Sequence, residues 1–295
     1  LNQQTEQLSP LSSRPTYTET ENDLTVKANK RTFIFSKKDG QLKGVSVDNR
    51  KISFANGPRF IGARRADRSL DQFYNHDDEK AKEKDRTYSE FPDAAVFTKL
   101  DVKQEGGDLI VTANYKLGNL DKAQWTISPS GDLVLDYTYN FSGVVDLMGI
   151  CFDYPEDQVI SKRWLGAGPY RVWQNRIHGT QYDVWENDYN DPIPGETFTY
   201  PEFKGYFGDV SWMNIRTKEG IISLTNETPD AYVGVYQPRD GRDRLLYTLP
   251  ESGISLLNVI PPVRNKVNST DLCGPSSQPK WVNGPQTGRI VFRFI

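Results

Sequence analysis

Short runs in which apolar and polar residues alternate, each closed by a turn residue, recur along this chain from Leu24 to Ile295. A period of two places one set of side chains on each face of a strand, so one half of a run can meet a core while the other meets water. Leu24-Thr25-Val26-Lys27-Ala28 shows the pattern, and Thr32-Phe33-Ile34-Phe35-Ser36 follows it. Lys38-Asp39-Gly40 then supplies a turn before Leu42-Lys43-Gly44-Val45-Ser46-Val47, which predicts a hairpin with positive φ at the glycine. Leu109 to Tyr115 and Ala123 to Ile127 repeat the theme. Ser130-Gly131-Asp132 turns the chain into Leu133 to Phe141, and Gly288 to Ile295 is strand-like to its last residue. Helical periodicity is nearly absent. The best helical candidate, Ser69 to Lys84, has no sustained apolar stripe and reads as a solvated loop or a short surface helix. Many strands without a short-period repeat predict an all-β chain of two large sheets packed face to face. Turn residues are spread evenly, so one domain is expected over residues 21–295, after a polar linker over 1–20.

A chain of 295 residues buries an ample core without staples. Its net charge is −3 with a quarter of the residues charged, a mixed balance that gives no electrostatic case for nucleic acid or an anionic membrane. No apolar run approaches membrane-spanning length. The two cysteines, Cys151 and Cys273, cannot make a disulfide framework or a four-ligand metal site, and whether they bridge is not deducible from sequence. The start, Leu1 to Gln7, lacks the basic and apolar regions of a signal peptide. Either a signal was removed, which would make the protein periplasmic or secreted, or the sequence begins inside a longer polypeptide.

Four of the six tryptophans fall between Trp164 and Trp212, interleaved with Tyr170, Tyr182, Tyr189, Tyr200 and Tyr206 and with Arg171, Arg176, Glu186, Asp188, Glu202 and Asp209. Flat apolar rings beside carboxylates and guanidinium groups suit sugar recognition, since a pyranose stacks its C–H face on a ring while its hydroxyls take placed polar partners. The plainer reading is that these rings fill a large β core. Trp125 and Trp212 sit inside alternating patterns that face such a core.

Acid–base machinery is scarce. His76 lies in the charged run Tyr74-Asn75-His76-Asp77-Asp78-Glu79 and reads as solvated. Two readings fit His178: a polar residue at the core edge, or a group that hydrogen-bonds a sugar or donates a proton. No nucleophile elbow, zinc-protease helix, phosphate loop or dinucleotide fingerprint is present. Paired carboxylates could hydrolyse a glycosidic bond, but spacing in sequence does not show any pair facing across a cleft. Glu186, Asp188 and Asp191 around Asn187 and Asn190 fit either a solvated loop or a Ca²⁺-type oxygen cage, so no cofactor is expected beyond an open question about a divalent ion.

These residues also carry a family resemblance. Trp164-Leu165-Gly166-Ala167-Gly168-Pro169 with Asn175-Arg176 resembles the Gly-x-Gly-Pro-x-Glu-x-Tyr-x-Asp-Arg stretch in the C-terminal domain of glycoside hydrolase family 2 β-galactosidases. Tyr200-Pro201-Glu202-Phe203-Lys204-Gly205 and Gly208-Asp209-Val210-Ser211-Trp212 resemble that domain's Tyr-x-x-Pro-Gln-Glu-x-Gly-x-x-x-x-Val-x-Trp stretch, and Phe33 to Leu42 resembles its opening hairpin. Their order and spacing agree from about Leu24 to Ile295. The resemblance implies a β-supersandwich of the galactose-mutarotase-like type, non-catalytic by itself. It implies a (β/α)8 catalytic barrel of the same polypeptide as the partner, carrying both catalytic glutamates. It implies a β-galactoside or related β-glycoside as the carbohydrate, and a tryptophan near the domain's end lent to the sugar pocket. Here that residue is Trp281, in a Pro/Gly-bounded loop from Cys273 to Gly284. Arg176, His178, Glu202 and Asp209 complete the expected substrate-binding set, with no catalytic residue in the chain. The sequence departs from the family at Pro279-Lys280-Trp281, where Asp-Ser-Trp is usual. It departs again at Arg171 and Trp173, where Glu and Tyr are usual, and the Arg-Ala-Pro-x-Asp-Asn stretch survives only as Gly57-Pro58-Arg59-Phe60 with Arg64, Arg65 and Asp67 beyond. These departures leave room for a substrate other than lactose. Two further readings stay open: a free-standing carbohydrate-binding protein, and an aldose-1-epimerase-like enzyme with His178 and Glu202 as its acid–base pair.

Overall fold

A computed structural model describes residues 13–65, 88–188, 205–235, 252–262 and 274–295. The helical candidate Ser69 to Lys84, His76, Asn190, Asp191, Glu202 and Cys273 lie outside the described residues. In chain order the strands are β1 Thr16–Glu19, β2 Asp23–Ala28, β3 Arg31–Ser36, β4 Leu42–Val47, β5 Arg50–Ile52, β6 Ala55–Arg65 and β7 Tyr88–Glu90. β8 Val96–Glu105, β9 Asp108–Lys116, β10 Leu120–Ile127, β11 Leu133–Val145, β12 Leu147–Asp153, β13 Val159–Gly168 and β14 Gln181–Asp188 follow. The last are β15 Trp212–Thr217, β16 Gly220–Asn226, β17 Tyr232–Val235, β18 Ile254–Val259 and β19 Lys280–Phe294.

They form two antiparallel sheets. The first runs β1-β2-β3-β4-β6-β12-β18-β17, with β5 beside β4 and β7 beside β6. The second runs β14-β13-β15-β16-β19-β11-β10-β9-β8. The expected all-β sandwich of large sheets is therefore the observed one. One edge differs: Thr16–Glu19, within the stretch read as linker, pairs with β2 through a regular register from Thr16↔Lys27 to Glu19↔Leu24. Main-chain hydrogen bonds suffice for that pairing, so four exposed side chains, Tyr17 among them, show no buried face to mark the strand.

Alternation explains the layers. In β2, Leu24, Val26 and Ala28 are buried, and in β11 so are Leu133, Leu135, Tyr137, Tyr139 and Phe141. The inner faces interlock through aromatic rings. Phe35 meets Trp125 at 5.9 Å, Trp125 meets Phe152 at 6.0 Å, and Phe54 lies 4.6 Å from Phe152 and 5.1 Å from Phe292. Each such side chain contributes roughly 1.5–3 kcal/mol through burial. The hairpin turn expected at Lys38-Asp39-Gly40 is present with φ 75° at Gly40, where a Cβ would also collide with the Phe97 ring at 2.7 Å. Arg31 ties the sheets at one end, its Nε donating to the Phe294 carbonyl at 2.8 Å and its Nη1 to the Ser130 carbonyl at 2.9 Å.

The centre of the first sheet is buried on both faces. β12 is buried from Leu147 to Phe152 with no polar alternation. Met148, Ile150 and Phe152 belong to the sandwich core, while Leu147 and Cys151 join Ile61, Ala63 and Leu257 in a second apolar cluster. Val172, Trp173, Tyr206 and Ile260 complete that cluster. The aromatic segment after β13 is thus a third layer on the first sheet. Among the described residues no helix is long and apolar enough to cross a membrane.

Candidate functional site

The site grows out of β13. Ala167 donates its backbone N–H to the Gly208 carbonyl at 2.9 Å, bringing residues 208–210 against the strand. A Cβ on Gly166 would stand 2.9 Å from the Gly208 oxygen, and one on Gly168 would stand 2.4 Å from Cδ1 of Trp185. Both glycines are sites of close approach, and neither takes a positive φ. The chain then leaves the sheet. Val172 and Tyr206 exchange backbone hydrogen bonds of 2.7 and 2.9 Å, and Trp173 lies buried with its ring edge-on to Tyr206 at 5.5 Å. Arg171, also buried, holds its guanidinium 4.9 Å from the centre of the Phe207 ring. Lys162 on β13 is buried too, with Nζ 5.9 Å from that ring centre. An aromatic face attracts a cation, and more strongly away from water.

Trp173 closes a tight turn with Arg176, whose N–H donates to the Trp173 carbonyl at 2.8 Å. The turn projects two amides. Gln174 Nε2 donates to the carbonyls of Ser276 at 3.0 Å and Gln278 at 2.7 Å, and Asn175 Nδ2 donates to Ser277 Oγ at 3.0 Å. These bonds fasten the 3-10 turn Pro275–Ser277, from which β19 starts with Lys280 and Trp281.

Trp281 is 71% exposed. The expected exposure is observed, but the expected loop is not: Trp281 stands on β19, opposite Val144 of β11, in a ladder that runs without interruption from Lys280 to Phe292. Pro279, Gly284 and Pro285 read as strand breakers, yet thirteen consecutive cross-strand partners outweigh them. Ser142 Oγ donates to Asn283 Oδ1 at 2.8 Å on the same exposed face.

Arg176 and His178 are exposed on the loop that leads from the Trp173 turn to β14, so the structure brings their segment beside the residues that precede Trp281. Asp209 belongs elsewhere. It is exposed, with φ 49°, and lines a cleft of about 270 Å³ with Asn226, Glu227, Thr228 and Asp230. That cleft abuts Arg289, whose carbonyl accepts from the Glu227 N–H at 3.0 Å. Arg289 is eight residues from Trp281 along β19, roughly 25 Å of strand. Asp209 and Asp230 also raise the Tyr232 hydroxyl's pKa, behind the larger effect of burial. Glu202 lies outside the described residues, so the acid–base pair with His178 has no geometry here.

Trp212 does not face the core. On β15 the buried set is Met213, Ile215 and Thr217, which leaves Trp212 half-buried on the opposite face. Strand parity is invisible until one member of a run is anchored, and Trp212 opens its strand. Glu186 and Asp188 project from β14 on one exposed face while Asn187 is buried on the other. Among the described residues no group of three or more His, Cys, Asp or Glu is placed to hold a metal ion. Cys151 is a free buried thiol, pushed up to about 11 chiefly by burial, with Arg59 Nη2 at 3.8 Å from its sulfur. Sequence reasoning missed Lys162 and Gln174. For Lys162 the available signal was its shared parity with Trp164; for Gln174, whose partners lie a hundred residues away, there was none.

Residues 27–260 match the sequence model of a family described as beta galactosidase small chain, which leaves Trp281 and all of β19 beyond the matched stretch. No curated protein sequence matches the chain. Among solved structures, the galactose 1-epimerase from Lactobacillus acidophilus NCFM superposes with a TM-score of 0.51 at 10% identity, covering 96% of this chain and 99% of that one. The GalM/aldose epimerase homologue from C. elegans gives 0.40 at 7% identity, covering 95% and 99%. At such identities the first likeness speaks to fold alone, a galactose-mutarotase-like β-sandwich. With its model matched over most of the length, the chain belongs to the beta galactosidase small chain family.

Proposed function

We propose that this chain is the C-terminal domain of a β-galactosidase-like glycoside hydrolase, non-catalytic by itself, packing on a (β/α)8 barrel and presenting Trp281 to the sugar. The observation that carries the reading is the exposed indole on a strand fixed along its length. A large apolar ring left in water lowers no folding free energy, and one held rigidly loses little entropy when a sugar face stacks on it. Arg176 and His178, on the neighbouring loop, supply hydrogen bonds to hydroxyl groups in this reading. Asp209 is left out, because its cleft sits at another station of β19.

The test is paired. The 295-residue chain should not turn over nitrophenyl β-galactoside or β-glucuronide, and turnover above a buffer blank would overturn the proposal. Trp281→Ala should shift the stability of the chain by well under the roughly 3–5 kcal/mol of a buried aromatic truncation. In the barrel-bearing enzyme it should lower kcat/KM by the equivalent of about 1–3 kcal/mol, the scale of one lost aromatic contact. A large stability loss with unchanged kinetics would make Trp281 a packing residue.

A further inference from the structure

β8 closes one end of the nine-stranded sheet: β9 pairs with one of its sides, and no described strand pairs with the other. At ten residues it is longer than β1, β14 and β17, which occupy the other sheet ends. One face of β8 carries Lys99, Asp101, Lys103 and Glu105, with side-chain exposures of 64, 51, 67 and 59%. Within the chain they pair along the strand, Lys99 with Asp101 at 2.7 Å and Lys103 with Glu105 at 3.0 Å. The register against β9 is regular from Lys99 to Glu105.

Proteins blunt free edges with charge, most simply by charge of one sign, which repels any copy of itself. Alternating signs at a spacing of two do the opposite. We propose that β8 is a docking edge for a second copy of this chain, paired antiparallel about a two-fold axis through Val102. That register sets Lys99 across from Glu105 of the second copy and Asp101 across from its Lys103. Symmetry repeats both, giving four opposite-charge pairs. The side-chain period of two allows the register to change only in steps that keep the faces apart. One step places Asp101 opposite Asp101 and Lys99 opposite Lys103. The step the other way places Lys103 opposite Lys103 and Asp101 opposite Glu105. Charge therefore selects one register and rejects both neighbours. On the other face Leu100 and Val102 already pack on the sandwich core, and pairing sets Val102 beside Val102 of the second copy. The opposite sheet edge shows the contrast: β14 carries Asp183, Glu186 and Asp188 and no basic residue, so its own copy is repelled. A two-fold edge contact closes on itself and stops at two chains.

Sedimentation equilibrium of the 295-residue chain tests this. The mass should rise with concentration to a plateau at twice 33.6 kDa, and salt should weaken the association by screening exposed charges. Lys99→Glu with Lys103→Glu makes the edge wholly acidic and should weaken self-association by more than about tenfold, since every cross-strand pair turns from opposite to like. Asp101→Lys with Glu105→Lys makes it wholly basic, with the same loss. Mixing the two variants should restore a dimer, which shows that neither lost association by misfolding. The fourfold exchange of all these charges should dimerise like the parent chain. A chain that stays monomeric throughout, assemblies growing past two chains, an undiminished dimer in the acidic variant, or no association on mixing would each overturn the proposal.

Discussion

A methyl group on Gly166 would press on main chain, 2.9 Å from the Gly208 oxygen and 3.0 Å from Val210 Cα, whereas one on Gly168 would press on the half-exposed Trp185 ring. Trp185 is no freer to move, since its Cγ, beside the backbone, would be met at 2.6 Å and its Nε1 donates to the Gln181 carbonyl at 3.1 Å. Gly166→Ala and Gly168→Ala should therefore each cost roughly 1–3 kcal/mol, the range for overpacking. Urea unfolding of the two variants checks this, and an unshifted midpoint for either would contradict it. The Gly-x-Gly spacing before Pro169 marked both positions in the sequence, but the groups that need the space come from residues distant in sequence. Cys151 offers a second test. Its thiol is buried, and desolvation of the thiolate pushes its pKa up to about 11, so the reactive form is scarce at pH 8. Iodoacetamide should label it only after unfolding, as read by peptide mass mapping. Labelling in the native protein at the rate of a free thiol would show that the second apolar cluster opens readily.

Elements were most legible where one face met a core and the other met water. β2, β9, β10 and β11 match their alternating runs, because parity and burial agree. β3 and β4 occupy their expected runs but break parity, with a register shift between Ile34 and Phe35 and with the neighbours Phe35 and Ser36, and Gly44 and Val45, buried together. β12 carries no alternation because the third layer buries its outer face, and nothing local announces that layer. β19 was legible only from Gly288 onward, since its first half is written in residues that ordinarily end strands. The turn entering β11 holds a charge contact that can be titrated. Asp132 accepts from Arg293 of β19 through both oxygens, at 2.7 and 2.8 Å. The Arg293 hydrogen bonds hold the Asp132 carboxyl below its ordinary value of 3.8, against a smaller opposing effect of burial. The unfolded chain thus binds this proton more readily than the folded one. The stabilisation is complete above about pH 5 and is lost as pH falls through 3.8 towards the lower folded value. With Arg293 55% exposed, screening limits it to roughly 0.5–1 kcal/mol. Arg293→Gln should flatten the stability–pH curve between pH 5 and 3, lowering stability at pH 7 by that roughly 0.5–1 kcal/mol and converging on the parent chain near pH 3; an equal loss at both pH values would point to packing instead.

For the molecule as a whole, composition and periodicity were enough for two large sheets, and the order of several weak motifs was enough for the family. What they could not supply was the order of strands within each sheet, because pairing partners such as β11 and β19 are set by long-range packing rather than by either segment alone. That pairing has a temporal consequence. β8 to β11 form a meander on one side of the second sheet and β14-β13-β15-β16 a four-stranded block on the other, and β19 is the strand that joins them, flanked by β11 on one side and β16 on the other. A polypeptide emerging from the ribosome completes both halves before Lys280 is made. Until then the halves share no ladder, and their inner faces, including Trp125 and Met213, lack the strip of Ile290, Phe292 and Phe294 that bridges them. Contacts this far apart in sequence close slowly and leave sticky surface waiting. A chain stopped after Ser277 should consequently show strand content by circular dichroism but no cooperative thermal transition, and a sharp transition in that truncation would mean that the two halves can close without their keystone. Synthesis of this sandwich is a race between the arrival of β19 and the capture of its unfinished halves by chaperones or by one another.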